Sequence, residues 1–333
     1  MRQGWLAWFI SLLLWFSPLS AKDLSHEEVQ QWVLDQQVLN KTDELYQLVL
    51  LDDVDSLMFA LPRLSLPQQD VVRFLLLERM EDNNIILTSK MAKFVQKQIG
   101  RPSPYKVHKQ GDGYEFSVPA FDLSAVASRL LKRWHGDQQI LTFILKAEQS
   151  ELVLSQWLTE GRGKQNKERE ALLIRELDGL SPKALDSLTK QITQNPITNW
   201  LPSTQVVVRL AQVSEDPEVY KLLWRMKADS HSQSELKRLA SIKSEFSLRQ
   251  LMHASDNPSL HDAALYELTR LDPIPLEVKT FLIKKLKQSN DASIVARNLV
   301  QHGHRGWVEQ LAESHLGLNT QSLLQVLSIT KEK

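Results

Sequence analysis

Apolar residues recur at helical spacing along almost the whole chain from Ser25 onward. Leu123, Val126, Ala127, Leu130, Leu131 and Trp134 fall at i, i+3, i+4, i+7, i+8 and i+11, which places all six on one helix face. Ser25 followed by Glu28, just ahead of Val29, Val33 and Leu34, has the spacing of a capping box and opens another helix. Pro67 sits where a first-turn proline belongs, ahead of a helix over 68–80. Val71, Val72, Phe74, Leu75, Leu76 and Leu77 make that helix apolar on more than one face, so it must lie between neighbours. Ser181-Pro182 opens a further helix with a cap and a first-turn proline. Beyond residue 202 the pattern predicts helices over 203–213, 217–227, 233–242, 245–253, 258–270, 275–288, 291–301, 305–314 and 319–329. The links between them are short and carry Asp, Asn, Ser or Pro, which makes successive helices antiparallel neighbours.

Two segments interrupt the helical pattern. Residues 105–110 and 114–118 alternate at period two around Gly111-Asp112-Gly113, which predicts a β-hairpin over 105–118. Tyr105, Val107, Tyr114, Phe116 and Val118 share one face of it, and two strands alone are marginal in water. That face must therefore pack on helices or serve as a docking element. The second interruption, Glu160 to Glu170, is polar and contains Gly161 and Gly163. It predicts an exposed loop running into a helix and a hinge between two halves of the chain.

The N-terminus follows a different logic. Arg2 supplies one positive charge, Trp5 to Phe16 is apolar apart from Ser11, Pro18 breaks the helix, and Leu19-Ser20-Ala21 precedes a polar stretch. This is the pattern of a signal peptide cleaved after Ala21, with an uncleaved anchor as the alternative. The organisation expected is thus an export segment at 1–21, a helical region at 22–160 carrying the hairpin, and a helical-repeat region at 161–333.

Composition narrows the class. The 333 residues include 56 leucines but no cysteine and only 11 glycines, so disulfide-stapled and collagen-like architectures are excluded. An exported chain without cysteine fits a bacterial periplasm better than a eukaryotic secretory route. Basic and acidic residues balance at 40 each, with no basic block, which argues against nucleic acid as a partner. Cleavage after Ala21 removes Arg2 and leaves a formal charge of −1.

Asp256-Asn257-Pro258-Ser259-Leu260 through Leu268 resembles the first helix of a HEAT-type repeat, a turn with Asp and Pro before a helix with small residues. Asn290 to Leu299 is similar 34 residues later, aligning Leu260 with Ile294 and Leu265 with Leu299, and Asp216-Pro217-Glu218-Val219 is a weaker third instance. The resemblance spans roughly 216–315. It implies an α-solenoid of short antiparallel helix pairs, a protein partner, and no catalytic residues.

Five of the nine histidines lie in 253–315, namely His253, His261, His302, His304 and His315. His302-Gly303-His304 with His315 and Glu309 or Glu313 is a conceivable zinc set, set against the commoner reading of interhelical histidines that cap helices. Ser-x-x-Lys begins at Ser103, Ser187, Ser234 and Ser328 with no Lys-Thr-Gly to complete an acylating site. Gly161-Arg162-Gly163-Lys164 lacks the spacing of a phosphate loop. Asp53-Val54-Asp55 begins like a calcium loop, but Leu64 stands in place of the bidentate acid. Glu313-Ser314 with Gly317-Leu318 faintly echoes lytic transglycosylases, yet only 20 residues follow Glu313, too few for a lysozyme-like domain.

The expectation is an all-α superhelix with one inserted hairpin, carrying no catalytic, cofactor or metal site. Its expected role is a periplasmic scaffold that binds another envelope protein, with no membrane span after signal cleavage. Trp157, Trp200, Trp224 and Trp307 are candidate anchors, set against half-burial between helices. The alternatives are a peptidoglycan-binding helical module or an enzyme whose site is assembled from dispersed histidines and carboxylates.

Overall fold

A computed structural model describes residues 22–110, 114–194, 200–314 and 318–329. Residues 1–21, where an export segment is expected, Gly111-Asp112-Gly113, His315 and Gly317 lie outside the described residues. The protein is all-α apart from one small sheet, and it divides into two compact units between Gln139 and Ile140.

In the first unit, α1 (His26–Leu34) opens on the expected capping box: Glu28 N–H donates to Ser25 Oγ at 3.1 Å, and Ser25 N–H to the Glu28 carboxylate at 2.7 Å. Asp35 closes α1 and caps α2 (Gln36–Leu50). Helix α3 (Val54–Ala60) starts on Asp53, whose carboxylate accepts from Ser56 N–H at 3.1 Å. Asp53-Val54-Asp55 is therefore a helix start. Helix α4 (Leu66–Asp82) carries Pro67 in its first turn and buries Val71, Val72, Leu76, Leu77 and Met80 completely. It packs against α1 and α2, which is why its apolar residues occupy more than one face. Helix α5 (Ser89–Ile99) follows, capped by Thr88.

The hairpin forms as β2 (Tyr105–Gln110) and β3 (Glu115–Pro119), with Val107 opposite Val118 and Lys109 opposite Phe116. A short strand that the sequence pattern does not reveal, β1 (Lys22–Asp23), pairs parallel with β2 and completes a three-stranded sheet. This register puts Tyr105, Val107, Val118, Phe116 and Tyr114 on one face. Only its base is packed: Tyr105 and Val107 are buried, whereas Phe116 and Tyr114 are exposed and lie ring to ring at 5.7 Å.

Helix α6 (Leu123–Glu148) bears the stripe, with Leu123, Val126, Ala127, Leu130 and Leu131 buried and Trp134 half-buried. It extends well past Trp134, and Gly136 does not interrupt it.

The second unit continues with α7 (Leu154–Thr159), α8 (Lys164–Glu176), α9 (Pro182–Thr193), α10 (Thr204–Ser214), α11 (Pro217–Leu223) and α12 (Ser230–Ile242). It ends with α13 (Glu245–Ala254), α14 (His261–Thr269), α15 (Leu276–Leu286), α16 (Ser289–Gln301), α17 (Arg305–Glu313) and α18 (Thr320–Ile329). The Gly161–Gly163 segment is the link between α7 and α8. Gly163 there has a positive φ of 38°, and a Cβ at Gly161 would meet Asn166 Oδ1 at 2.3 Å. Along this unit alternate helices pack on one another: α8 on α10, α10 on α12, α12 on α14, α14 on α16, and α16 on α18. The intervening helices do the same, α9 on α11, α11 on α13 and α13 on α15. A single apolar core runs through the unit, from Phe143 to Leu327.

Several helix ends differ from the sequence expectation, among them the start of α12, which Asp229 caps at Ser230 rather than 233. The helix at 217 stops at Leu223, because Trp224 N–H turns back to the Tyr220 and Leu222 carbonyls. Helix α14 starts at His261, with Leu260 buried as its N-cap. Among the described residues, no helix is long and apolar enough to cross a membrane.

Candidate functional site

Where α11 stops early, a concavity opens among the described residues of the second unit. Past Leu223 the chain turns tightly, Arg225 N–H bonding the Leu222 carbonyl at 3.0 Å and Met226 N–H the Leu223 carbonyl at 3.1 Å. Asn257, in the turn after α13, clamps this bend: its side-chain amide donates to the Trp224 carbonyl at 2.8 Å and the Met226 carbonyl at 3.1 Å. Between the bend and α13 lies a cavity of about 600 Å³, within the range of small-ligand sites. Its lining joins Glu218, Lys221, Trp224 and Arg225 to Gln250, His253 and Asp256, about 30 residues further along the chain.

Trp224 and Gln250 form the buried part of this lining, each 5% exposed. Arg225, His253 and Asp256 stand at the solvent side. The Trp224 indole Nε1–H is sealed from solvent and has no hydrogen-bond partner. Lys221 is engaged by Glu218 at 3.1 Å. Behind the lining, Tyr220 stacks near Trp224 at 5.8 Å and its hydroxyl donates to Glu235 Oε1 at 2.7 Å. Burial, then the adjacent Glu235 charge, pushes the Tyr220 phenol well above its ordinary value, so it stays a neutral donor. Arg238 holds the same carboxylate from Nε at 2.8 Å and Nη2 at 2.7 Å, and Gln212 adds a bond at 2.6 Å. The Glu235 hydrogen bond in turn raises the Arg238 guanidinium.

The histidines and tryptophans singled out in the sequence are scattered. His302 packs its ring edge-on to Tyr266 at 4.6 Å with Nδ1 3.2 Å from Thr269 Oγ1, and burial pushes its pKa below the ordinary imidazole range. His304 precedes α17 as its N-cap, and Glu309 is taken by Arg305 at 2.9 Å. Among the described residues, no three His, Asp or Glu side chains converge on a point that could hold a metal ion. His261 lies between the Ser255 carbonyl at 2.6 Å and Asp291 at 3.0 Å, and so joins α14 to α16. Of the tryptophans, Trp157, Trp200 and Trp307 are half-buried against the core. Trp157 lies 5.5 Å from Phe143, with the Arg169 guanidinium 5.0 Å above it. Trp224 is buried and lines the cavity.

Gln250 and Arg225 carried no sequence signal. A glutamine or arginine on a helix is ordinary, and their meeting with Trp224 depends on two turns whose packing is non-local. No protein-family model matches this chain, and no curated protein or solved structure matches it.

Proposed function

We propose that this chain is a non-catalytic helical-repeat protein, HEAT-like in its last third. We infer that it serves as a protein–protein interaction scaffold in the periplasm after export on residues 1–21. The observation that carries this reading is the next-but-one packing of α8 to α18. Stacked helix pairs that touch only near neighbours share one elongated core and leave a long row of helix ends and turns open to partners. The Trp224 cavity adds a place where such a partner would be anchored, because buried aromatics beside open pockets are the usual centres of binding energy. A rigid stack also presents its contacts already ordered, which lowers the entropic cost of association.

Crosslinking in living bacteria followed by affinity capture of the full chain tests this reading. A partner retained above background and recovered with an independent tag supports it; recovery of background alone overturns it. Co-sedimentation with purified sacculi in place of a protein partner would move the assignment to an envelope polymer.

A further inference from the structure

We propose that acid opens the C-terminal end of the second unit, because the His302 ring cannot take up a second proton where it sits. The device lies in the fold itself and holds whether or not the chain is a scaffold.

The neighbours of the ring fix where its proton lies. Thr269 Oγ1 directs its hydrogen to the Leu265 and Tyr266 carbonyls, each at 2.9 Å. It therefore accepts from His302 Nδ1, 3.2 Å away, which places the imidazole proton on Nδ1. Nε2 is then a bare acceptor, sealed from solvent and without a partner. A proton added there meets neither an acceptor nor water, so the charged ring is stable only once it has left its place.

The surrounding charges do not relieve this. Burial is the main cause that lowers the His302 pKa; the hydrogen bond to Thr269 opposes it, Arg270 of α14 and His304 at the start of α17 add to it, and Glu267 of α14 opposes it. Tyr266 of α14 presents a ring at 4.6 Å. Helix α15, also packed on α16, turns Lys285 to Asp291 at 3.4 Å and Lys279 to the Trp307 ring. Arg305 of α17 is bound to Glu309, and α18 contains no charged residue.

The position of His302 decides what moves. It closes α16, and its contacts with Tyr266 and Thr269 tie that end to α14. Gly303, at a positive φ of 89°, joins it to α17 and supplies the hinge. Helix α17 packs on α16 and α18, the last helices of the stack among the described residues. End elements of a stacked array open before its middle.

Hydrogen exchange of the full chain at pH 7.5 and pH 5.0, compared as protection factors, tests the proposal. With a released ring titrating at the ordinary 6.5, residues 299–314 and 320–329 should lose about tenfold or more of their protection in acid, while 204–254 keep theirs. His302→Phe and His302→Asn take up no proton, and the acid loss should be absent from both. His302→Asn keeps a donor for Thr269 where the phenyl ring does not fit. Nitrogen-15 spectra of the parent imidazoles at pH 7.5 should show the His302 proton on Nδ1. A proton on Nε2, a uniform loss along the unit, no loss at all, or a loss that persists in both variants would overturn the proposal. If both variants are already open at pH 7.5, a parent loss confined to the two segments, with the proton on Nδ1, upholds it.

Discussion

Asn257 fixes the position of Trp224 through the backbone: its amide nitrogen donates to the Trp224 carbonyl at 2.8 Å while its Oδ1 accepts from Ser259 N–H at 2.9 Å. One side chain therefore joins the bend after α11 to the turn before α14. Asn257→Ala strips the Trp224 and Met226 carbonyls of their shared donor, and a loss of about 1–3 kcal/mol is expected in urea unfolding. The same substitution should broaden the Trp224 indole resonance, since the bend loses its clamp.

The Glu235 carboxylate is fully buried and held by Tyr220, Gln212 and both faces of the Arg238 fork. Arg238→Met leaves that charge without its cation and should destabilise by about 2–4 kcal/mol, less than for a sealed pair because the guanidinium is partly in water. Tyr220→Phe removes one bond to the same group and should cost about 1–2 kcal/mol. The double variant will show less than the sum of the two, which a double-mutant cycle measures.

His302 gives the second unit a predictable acid response. Its folded pKa lies below the ordinary imidazole value of 6.5, so the unfolded chain binds the extra proton first. Its stabilising contribution is complete above 6.5 and is lost as pH falls from there through the folded pKa. His302→Gln should flatten the fall in unfolding free energy over that interval, as read by urea titrations at several pH values.

Asp70 in the first unit has the opposite sign. Burial pushes its carboxyl above the ordinary value, with Arg101 and then Arg73 opposing the shift. The native state therefore prefers the protonated acid, and the penalty for ionisation is present above the folded pKa and disappears as pH falls through it. Asp70→Asn, which mimics the neutral form, should raise stability at pH 7 and lose that advantage toward pH 4.

The hairpin separates packing from display. Val107 is buried at its base, so Val107→Ala should cost about 1–3 kcal/mol. Tyr114 is 65% exposed beyond the packed region, and Tyr114→Ser should stay within about 0.5 kcal/mol of the parent in thermal or chemical unfolding.

How much of this was legible beforehand varies along the chain. The starts of α10 to α13 follow from the Ser203, Asp216, Asp229 and Ser244 caps, which act within a few residues of the backbone they satisfy, whereas α14 to α17 begin on Leu260, Pro275, Gln288 and His304 with no side-chain cap. Strand β1 was invisible, because two residues carry no period and their pairing with Tyr105 and Lys106 is made more than 80 positions away. The full length of α6 was also hidden, since the stripe ends at Trp134 while the helix continues into the second unit's core at Phe143.

The sequence by itself determined that this protein is all-α with a single hairpin, and where most of its helices begin. Those properties rest on local torsions, caps and apolar period. Only the tertiary structure decided that Trp224, Arg225 and Gln250 share one cavity and that Glu235 has four bonds to share. Such meetings depend on how α11 stops and how α13 packs against it, a balance of non-local contacts that no window of residues contains.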